Sequence, residues 1–241
     1  MNLIYDGSYQ GLLTCLYKAH KNGNISRIVT NNYQVDIFNQ DSTIITNNKI
    51  ASKMNSYLTK KYGHEFIKDI YYANLSNSLE KATLILKFYN LARKSDYEIS
   101  SIYSHPDALP VKKLSHKVGL EKHRFLGLLR FKDFQNILVA KYHPDHDITE
   151  LLMTHFADRL NNFKFIIIDE SRSIAGIYNQ KKWFINHDFN QSFLPEDSSD
   201  DFEVLWQNYF ETTTIRSRVN HKLQRQYLPR RYLKYLPELK K

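Results

Sequence analysis

Near residue 120 the spacing of apolar residues changes, and this change limits the folds open to the chain. Before it, apolar positions recur at helical spacing. Leu12, Leu13, Leu16 and Tyr17 share one side of a helix, and Leu79, Ala82, Leu86 and Tyr89 share a side of another. After it, short runs alternate. "HRFLGLLRF" and "NILVAKYH" read as strands joined by the turn "KDFQ", and "FKFIIIDE", "SIAGIYN" and "KWFI" read as three more. A helix running to about Leu160 interrupts the strands, opened by Asp147 and Glu150 at capping-box spacing. Residues 123–186 therefore predict a β-β-α-β-β-β unit, and the short connections predict a mainly antiparallel sheet.

Elsewhere "NLIY" reads as a strand entering "DGS" and then the first helix. Residues 24–46 are ambiguous, with a short strand around "YQVDIF"; helices are expected near 47–62 and 78–94. "SHPDALPVKKLSHKVGLEKH", with two prolines and a glycine, reads as a connection holding a short helix. "SSDDFEVLWQNYF" predicts a helix whose apolar stripe is Phe202, Leu205, Trp206, Tyr209 and Phe210. A further helix is expected from about Ser217 to Leu228, with a short one opened by Pro229. The expected class is α+β, in one domain over 1–241: mainly helical over 1–120, a sheet unit over 121–186, and basic helices over 198–241.

The net charge of +9 is distributed unevenly. From Arg216 to Lys241 there are nine Lys or Arg against one acid, Glu238, so this end holds eight of the nine net charges. Just upstream, His187 to Glu203 carries six acids and no Lys or Arg. Such asymmetry points to a polyanionic partner, or to an acidic loop that neutralises the basic end within the fold. Arg218, Lys222 and Arg225 would line one face of a helix, the arrangement that follows a phosphate backbone. With Arg216, Arg230, Arg231 and Lys234 they form the candidate nucleic-acid surface. Tyr227, Tyr232 and Tyr235 are set among them, to pack inward or to stack on unpaired bases. Leu223, Leu228 and Leu236 call for burial, so the segment is expected to be docked.

Chemistry is harder to find. His155 lies on the 148–160 helix beside Ile148, Leu151, Leu152 and Phe156, with Asp158 and Arg159 three and four residues on. An imidazole oriented by a carboxylate suits general acid-base work; the same trio also suits a core histidine satisfied by Asp158. His143, His146 and His155, with Asp145 or Asp147, are weak metal candidates, because no cysteine pair supports them and "HPDH" reads as a turn. On a strand, Arg124 and Arg130 of "HRFLGLLRF" would share a face and could hold a phosphate, or pair with Asp158 or Asp169. No P-loop, G-x-G-x-x-G, G-x-S-x-G or radical-SAM cysteine triad occurs, and no cofactor is expected. The single cysteine, Cys15, excludes an internal disulfide and reads as a small buried hydrophobe. "MNLIYDGS" has no signal-peptide core, and no apolar run reaches membrane-spanning length, so a cytoplasmic chain without a membrane partner is expected.

"YDGSYQGLL", "HRFLGLLRF", "PDHDITELLMTHFADR" and "LQRQYLPRRYLKYLPE" together resemble the bacterial family labelled "probable DNA metabolism protein". The resemblance runs from the first residues to the last. It implies association with DNA repair, because that family is encoded beside a radical-SAM protein assigned to DNA repair. In other bacteria its domain is fused ahead of a uracil-DNA glycosylase-like domain. This chain is expected to carry the domain without that fusion, leaving glycosylase chemistry to a partner. The family pattern keeps the equivalents of His146 and His155. Three readings follow: a DNA-associated accessory protein with a radical-SAM or glycosylase-type partner, an enzyme on DNA or a nucleotide using His155 and Asp158, or a protein adaptor.

Overall fold

The computed structural model describes residues 1–31, 41–94, 102–103, 105–189 and 201–239. The "YQVDIF" stretch and most of the acidic loop lie outside them. The chain divides into two compact units, Met1–Leu120 and Glu121–Lys241. Among the described residues no helix is long and apolar enough to cross a membrane.

In the first unit, β1 (Asn2–Tyr5) is the centre of a three-stranded parallel sheet, flanked by β2 (Arg27–Thr30) and β3 (Asp41–Thr43). The sequence prepared only the first of these strands. α1 (Tyr9–Lys21) starts directly after β1, through "DGS". Gly7 takes φ +85°, which favours glycine. The Ser8 hydroxyl accepts from the Gly11 N–H at 2.9 Å and so caps the helix. Asp6 in turn accepts from Ser8 N–H at 2.9 Å, Ser8 O–H at 2.7 Å and Thr46 O–H at 2.7 Å. Burial alone would raise the Asp6 carboxyl, but these bonds outweigh it and hold the pKa below the ordinary value.

The close approach requires a glycine at 11. A Cβ there would lie 2.3 Å from Asp6 Oδ1 and 2.8 Å from Thr46 Oγ1. Gly11→Ala should therefore lower stability by about 1–3 kcal/mol through overpacking. That outweighs the roughly 1 kcal/mol that alanine gains as a helix former. A denaturant melt decides it, and a more stable variant would refute the packing account.

α2 (Asn48–Leu75) extends well past the expected end at 62, with a non-helical residue, Gly63 at φ +85°, inside it. With α3 (Lys81–Lys94) and α1 it encloses a core that includes Leu3, Leu12, Leu16, Phe66 and Phe88. Cys15 is part of it, and burial pushes its thiol up to about 12, in keeping with a packing role.

α4 (Leu109–Leu128) corrects two expectations at once. The presumed connection and the presumed strand "HRFLGLLRF" are one 20-residue helix up to Leu128. Its buried positions Val111, Ser115, Val118, Glu121 and Phe125 recur every three or four residues. Two of them are polar, so the stripe does not read as apolar in sequence. Over a short run such as "FLGLL" alternation and helical spacing coincide.

The second unit holds a five-stranded sheet in the order β4–β5–β6–β7–β8. β4 (Lys132–Phe134) occupies the expected turn, and the reversal falls on Gln135 and Asn136, both at positive φ, before β5 (Ile137–Tyr142). Two such residues give the twist that suits a two-residue hairpin. α5 (Thr149–Arg159) crosses over to β6 (Lys164–Asp169), which pairs parallel to β5. β7 (Ile174–Tyr178) and β8 (Trp183–Asn186) follow antiparallel, as does β4 on β5. The β-β-α-β-β-β order and the mainly antiparallel α+β class are thus found, with the first strand nearer the second than expected.

The C-terminal region is α6 (Asp201–Thr213), a 3-10 turn at Arg216–Arg218, α7 (His221–Tyr227), and 3-10 turns at Arg230–Tyr235 and Pro237–Leu239. The expected helix from Ser217 is broken. Asn220 leaves the helix and caps α7, its side chain accepting from the Leu223 N–H at 3.0 Å. Arg218 and Lys222 therefore sit on different elements, and no continuous helical stripe joins them.

Candidate nucleic-acid interface

Tyr232 anchors this C-terminal region to the sheet unit. Its side chain is 1% exposed, edge-on to Phe125 at 4.7 Å, and its hydroxyl donates to Glu121 Oε1 at 3.0 Å. Glu121 also accepts the backbone N–H of Asp145 at 2.9 Å and of His146 at 2.8 Å. One buried carboxylate on α4 thereby holds both the "HPDH" turn and the tail. Tyr235 and Lys234 donate to Glu170, the lysine at 3.0 Å. Burial would raise the Glu170 carboxyl, yet the bonds from Tyr235 and Lys234 hold it below the ordinary value. Of the three leucines expected to be buried, Leu236 is, Leu228 is half-buried, and Leu223 is corrected: it is 50% exposed. The docking expected of this segment is found at its end, from Tyr232 to Leu236, where it consumes Tyr232 and Lys234. Base stacking by Tyr232 is corrected accordingly: its ring is core.

The other cations behave differently. Arg216, Arg218 and Lys222 are exposed, and no described residue forms a hydrogen bond or ion pair with their side chains. Of the acidic segment, Glu203 pairs with Lys132 at 2.8 Å and not with these three. The side chains of Arg225, Tyr227, Arg230 and Arg231 lie outside the described set. Arg216, Arg218 and His221 border an open cleft of about 1050 Å³ with Phe210, Leu223 and Leu233 in its wall. Glu211 and Glu238 also line it, and Glu238 is engaged by Arg130 at 2.7 Å.

α6 adds residues that the sequence marked only as the apolar stripe of a helix. Its half-buried side is Glu203, Gln207 and Phe210, continued by Thr214, and Gln207 donates to the Pro237 carbonyl at 3.0 Å. Three residues of the apolar stripe face outward, Leu205 at 61% exposed, Trp206 at 41% and Tyr209 at 59%, while Phe210 lies on the half-buried side. Trp206 and Tyr209 stack with centroids 5.7 Å apart, and the Arg130 guanidinium lies 6.0 Å from the Trp206 ring. Nothing in the heptad spacing marks this orientation, because polar Glu203 and Gln207 take the inward positions through partners distant in sequence.

The catalytic candidates are not brought together. His155 is half-buried on α5 against the Phe156 ring, while Asp158 and Arg159 are exposed. Among the described residues no hydrogen bond or ion pair joins the three. His143 is exposed and His146 buried, and no group of three or more His, Cys, Asp or Glu that could hold a metal occurs among the described residues. Arg124 lies on α4 and Arg130 beyond its end, bonded to Glu238, so the shared strand face expected for a phosphate does not exist.

The polar network beside β5 and β6 is built instead on Asp169. This fully buried carboxylate accepts from Arg172 at 2.8 Å and from the Ser171 N–H at 2.8 Å; Arg172 also donates to the Asp145 carbonyl at 2.6 Å. Burial, then the nearby Asp169 charge, pushes the Tyr142 phenol far above its ordinary value.

These features occur in a chain of the DUF4130 family, a domain of unknown function, to which it belongs: the family's pattern matches residues 79–238. No curated protein matches the sequence. Among solved structures, a chain described as "pGpG-specific phosphodiesterase - PggH from Vibrio cholrae" aligns at 13% identity over 73% of this chain and 80% of that one. Its TM-score is 0.29, too low to bear on the fold or the site.

Proposed function

We propose that this protein is a DNA-associated accessory factor in DNA repair or modification that binds nucleic acid through its C-terminal surface. The observation that carries the reading is the set of exposed, unneutralised cations Arg216, Arg218 and Lys222, the first two bordering an open cleft. Guanidinium and ammonium groups in that state neutralise phosphates at little desolvation cost. The exposed Trp206 and Tyr209 rings supply faces on which unpaired bases stack, so the single strand is the favoured form. A cytoplasmic setting and a radical-SAM or uracil-DNA glycosylase-type partner, implied by the family resemblance, complete the proposal. Enzymatic use of His155 and Asp158 has no contact to support it.

The test is a titration of a fluorescent single-stranded oligonucleotide at several salt concentrations. Log affinity should fall linearly against log salt. Trp206→Ala should weaken binding by about 1–3 kcal/mol while leaving the slope nearly constant. Binding that ignores salt would end the proposal.

A second reading is favoured by one observation, the outward-facing Leu205, Trp206 and Tyr209 of α6. On an adaptor, Leu205, Trp206 and Tyr209 would be the anchors for the radical-SAM partner protein, as aromatic residues often are at interfaces. Leu205→Ser, which adds no charge, separates the two: it should abolish a nuclease-resistant complex with that partner and leave oligonucleotide affinity within about twofold, since leucine offers no ring for stacking.

A further inference from the structure

We infer that His20, Lys61 and Arg93, in the first unit, form a binding site for a doubly charged tetrahedral oxyanion, that is, a phosphate group. The three come from three helices and meet over a patch of tyrosines. His20, near the end of α1, places its Nδ1 2.6 Å from the Tyr89 hydroxyl of α3 and its ring edge-on to Tyr57 of α2 at 5.4 Å. Lys61 lies over the same Tyr57 ring, 5.8 Å from its centroid, and 5.2 Å from that of Tyr62. Arg93, one turn beyond Tyr89, donates to the carbonyl of Ala19, the residue before His20.

Among the described residues no carboxylate is hydrogen-bonded or ion-paired to His20, Lys61 or Arg93. The Tyr57 and Tyr62 hydroxyls lie beside the Lys61 ammonium but carry no charge to offset it. Like charges this close repel. A phosphate group relieves this: it is the ligand that three cationic donors match. With Nδ1 committed to Tyr89, Nε2 of His20 remains to donate to it.

The site also has a proton linkage. Burial, then the charges of Arg93 and Lys61, lowers the His20 pKa below 6.5 in the free protein. Tyr57 and Lys61 face it from α2, Tyr89 and Arg93 from α3. Burial raises the Tyr89 phenol far above neutrality, so His20, held below its ordinary value, is the group of this set whose charge can change in mildly acidic solution. An oxyanion favours the imidazolium and raises its pKa. Binding must then tighten as pH falls through the interval between the two His20 pKa values.

Sulfate is the first probe, because it stays doubly charged over this range. Labelled full-length protein is titrated with sulfate while the His20 imidazole is followed by NMR. Sulfate should raise the His20 pKa, with affinity increasing as pH falls through the interval between the free and the sulfate-bound His20 values. Lys61→Gln should lower affinity about tenfold at unchanged melting temperature, since the lysine is exposed; His20→Gln should bind without pH dependence. Inorganic phosphate, adenosine 5′-monophosphate and adenosine then distinguish sources. Equal binding of the first two identifies free phosphate, and tighter binding of the nucleotide identifies a phosphate ester. Binding of adenosine as tight as the nucleotide overturns the proposal, as does a His20 pKa that sulfate leaves unmoved. The C-terminal reading can fail without touching these results, because the residues are separate.

Discussion

Replacing Arg216, Arg218 and Lys222 together by glutamine should reduce single-stranded DNA affinity about 100-fold at 0.1 M salt, without unfolding the protein. Each single-strand phosphate contact contributes about 0.7 to the salt slope, so three removed contacts flatten it by roughly 2. At that ionic strength the same factor is worth about 0.7 log units of affinity per contact, or about two in total. The melting temperature should stay near that of the wild type, because no described residue depends on these side chains. The alternative, that the acidic segment neutralises them internally, predicts the reverse: a lowered melting temperature and little change in slope. Measuring both quantities on one variant separates the two outcomes. A folded variant with wild-type affinity and slope would remove the C-terminal surface from the function.

Glu121→Ala should cost about 3–5 kcal/mol of stability in the second unit, the largest single-residue effect expected in this chain. The carboxylate is 4% exposed and holds three donors: the N–H groups of Asp145 and His146 and the hydroxyl of Tyr232. Truncation leaves all three without it, and each buried donor so abandoned costs about 1–3 kcal/mol. Tyr232→Phe removes one of the three bonds and keeps the ring against Phe125, so it should cost about 1.5–3 kcal/mol, in the range of a bond to a charged group. Two compact units can melt separately, so unfolding is best followed by hydrogen exchange on β5 and on the C-terminal turns. Exchange at β5 unchanged in Glu121→Ala would refute the anchoring role. Tyr232→Phe should also leave the salt slope of DNA binding unaltered, in contrast to the triple variant.

The sequence by itself determined the elements whose pattern is local. "NLIYDGS" specifies a strand, a left-handed glycine and a capped helix within seven residues, and each part is present. The strands "NILVAKYH", "FKFIIIDE" and "SIAGIYN" were legible because buried β-branched runs bounded by turn residues have few other uses. The excess of positive charge at the C-terminus is equally a property of sequence.

Tertiary structure alone decided where polar residues go. α4 was hidden because Ser115 and Glu121 occupy its buried stripe, each satisfied by a distant partner: Asp69 for the serine, and Asp145, His146 and Tyr232 for the glutamate. A polar residue can be buried only where its hydrogen bonds close, and that closure is not written in local spacing. The same reason turned α6 outward, with Glu203 on Lys132 and Gln207 on Pro237 while Trp206 and Tyr209 face solvent. It also divided the basic tail, taking Tyr232 and Lys234 into the fold and leaving Arg216, Arg218 and Lys222 at the surface. Composition placed the cations in one segment; hydrogen-bond partners more than sixty residues away chose which of them remain available to a ligand.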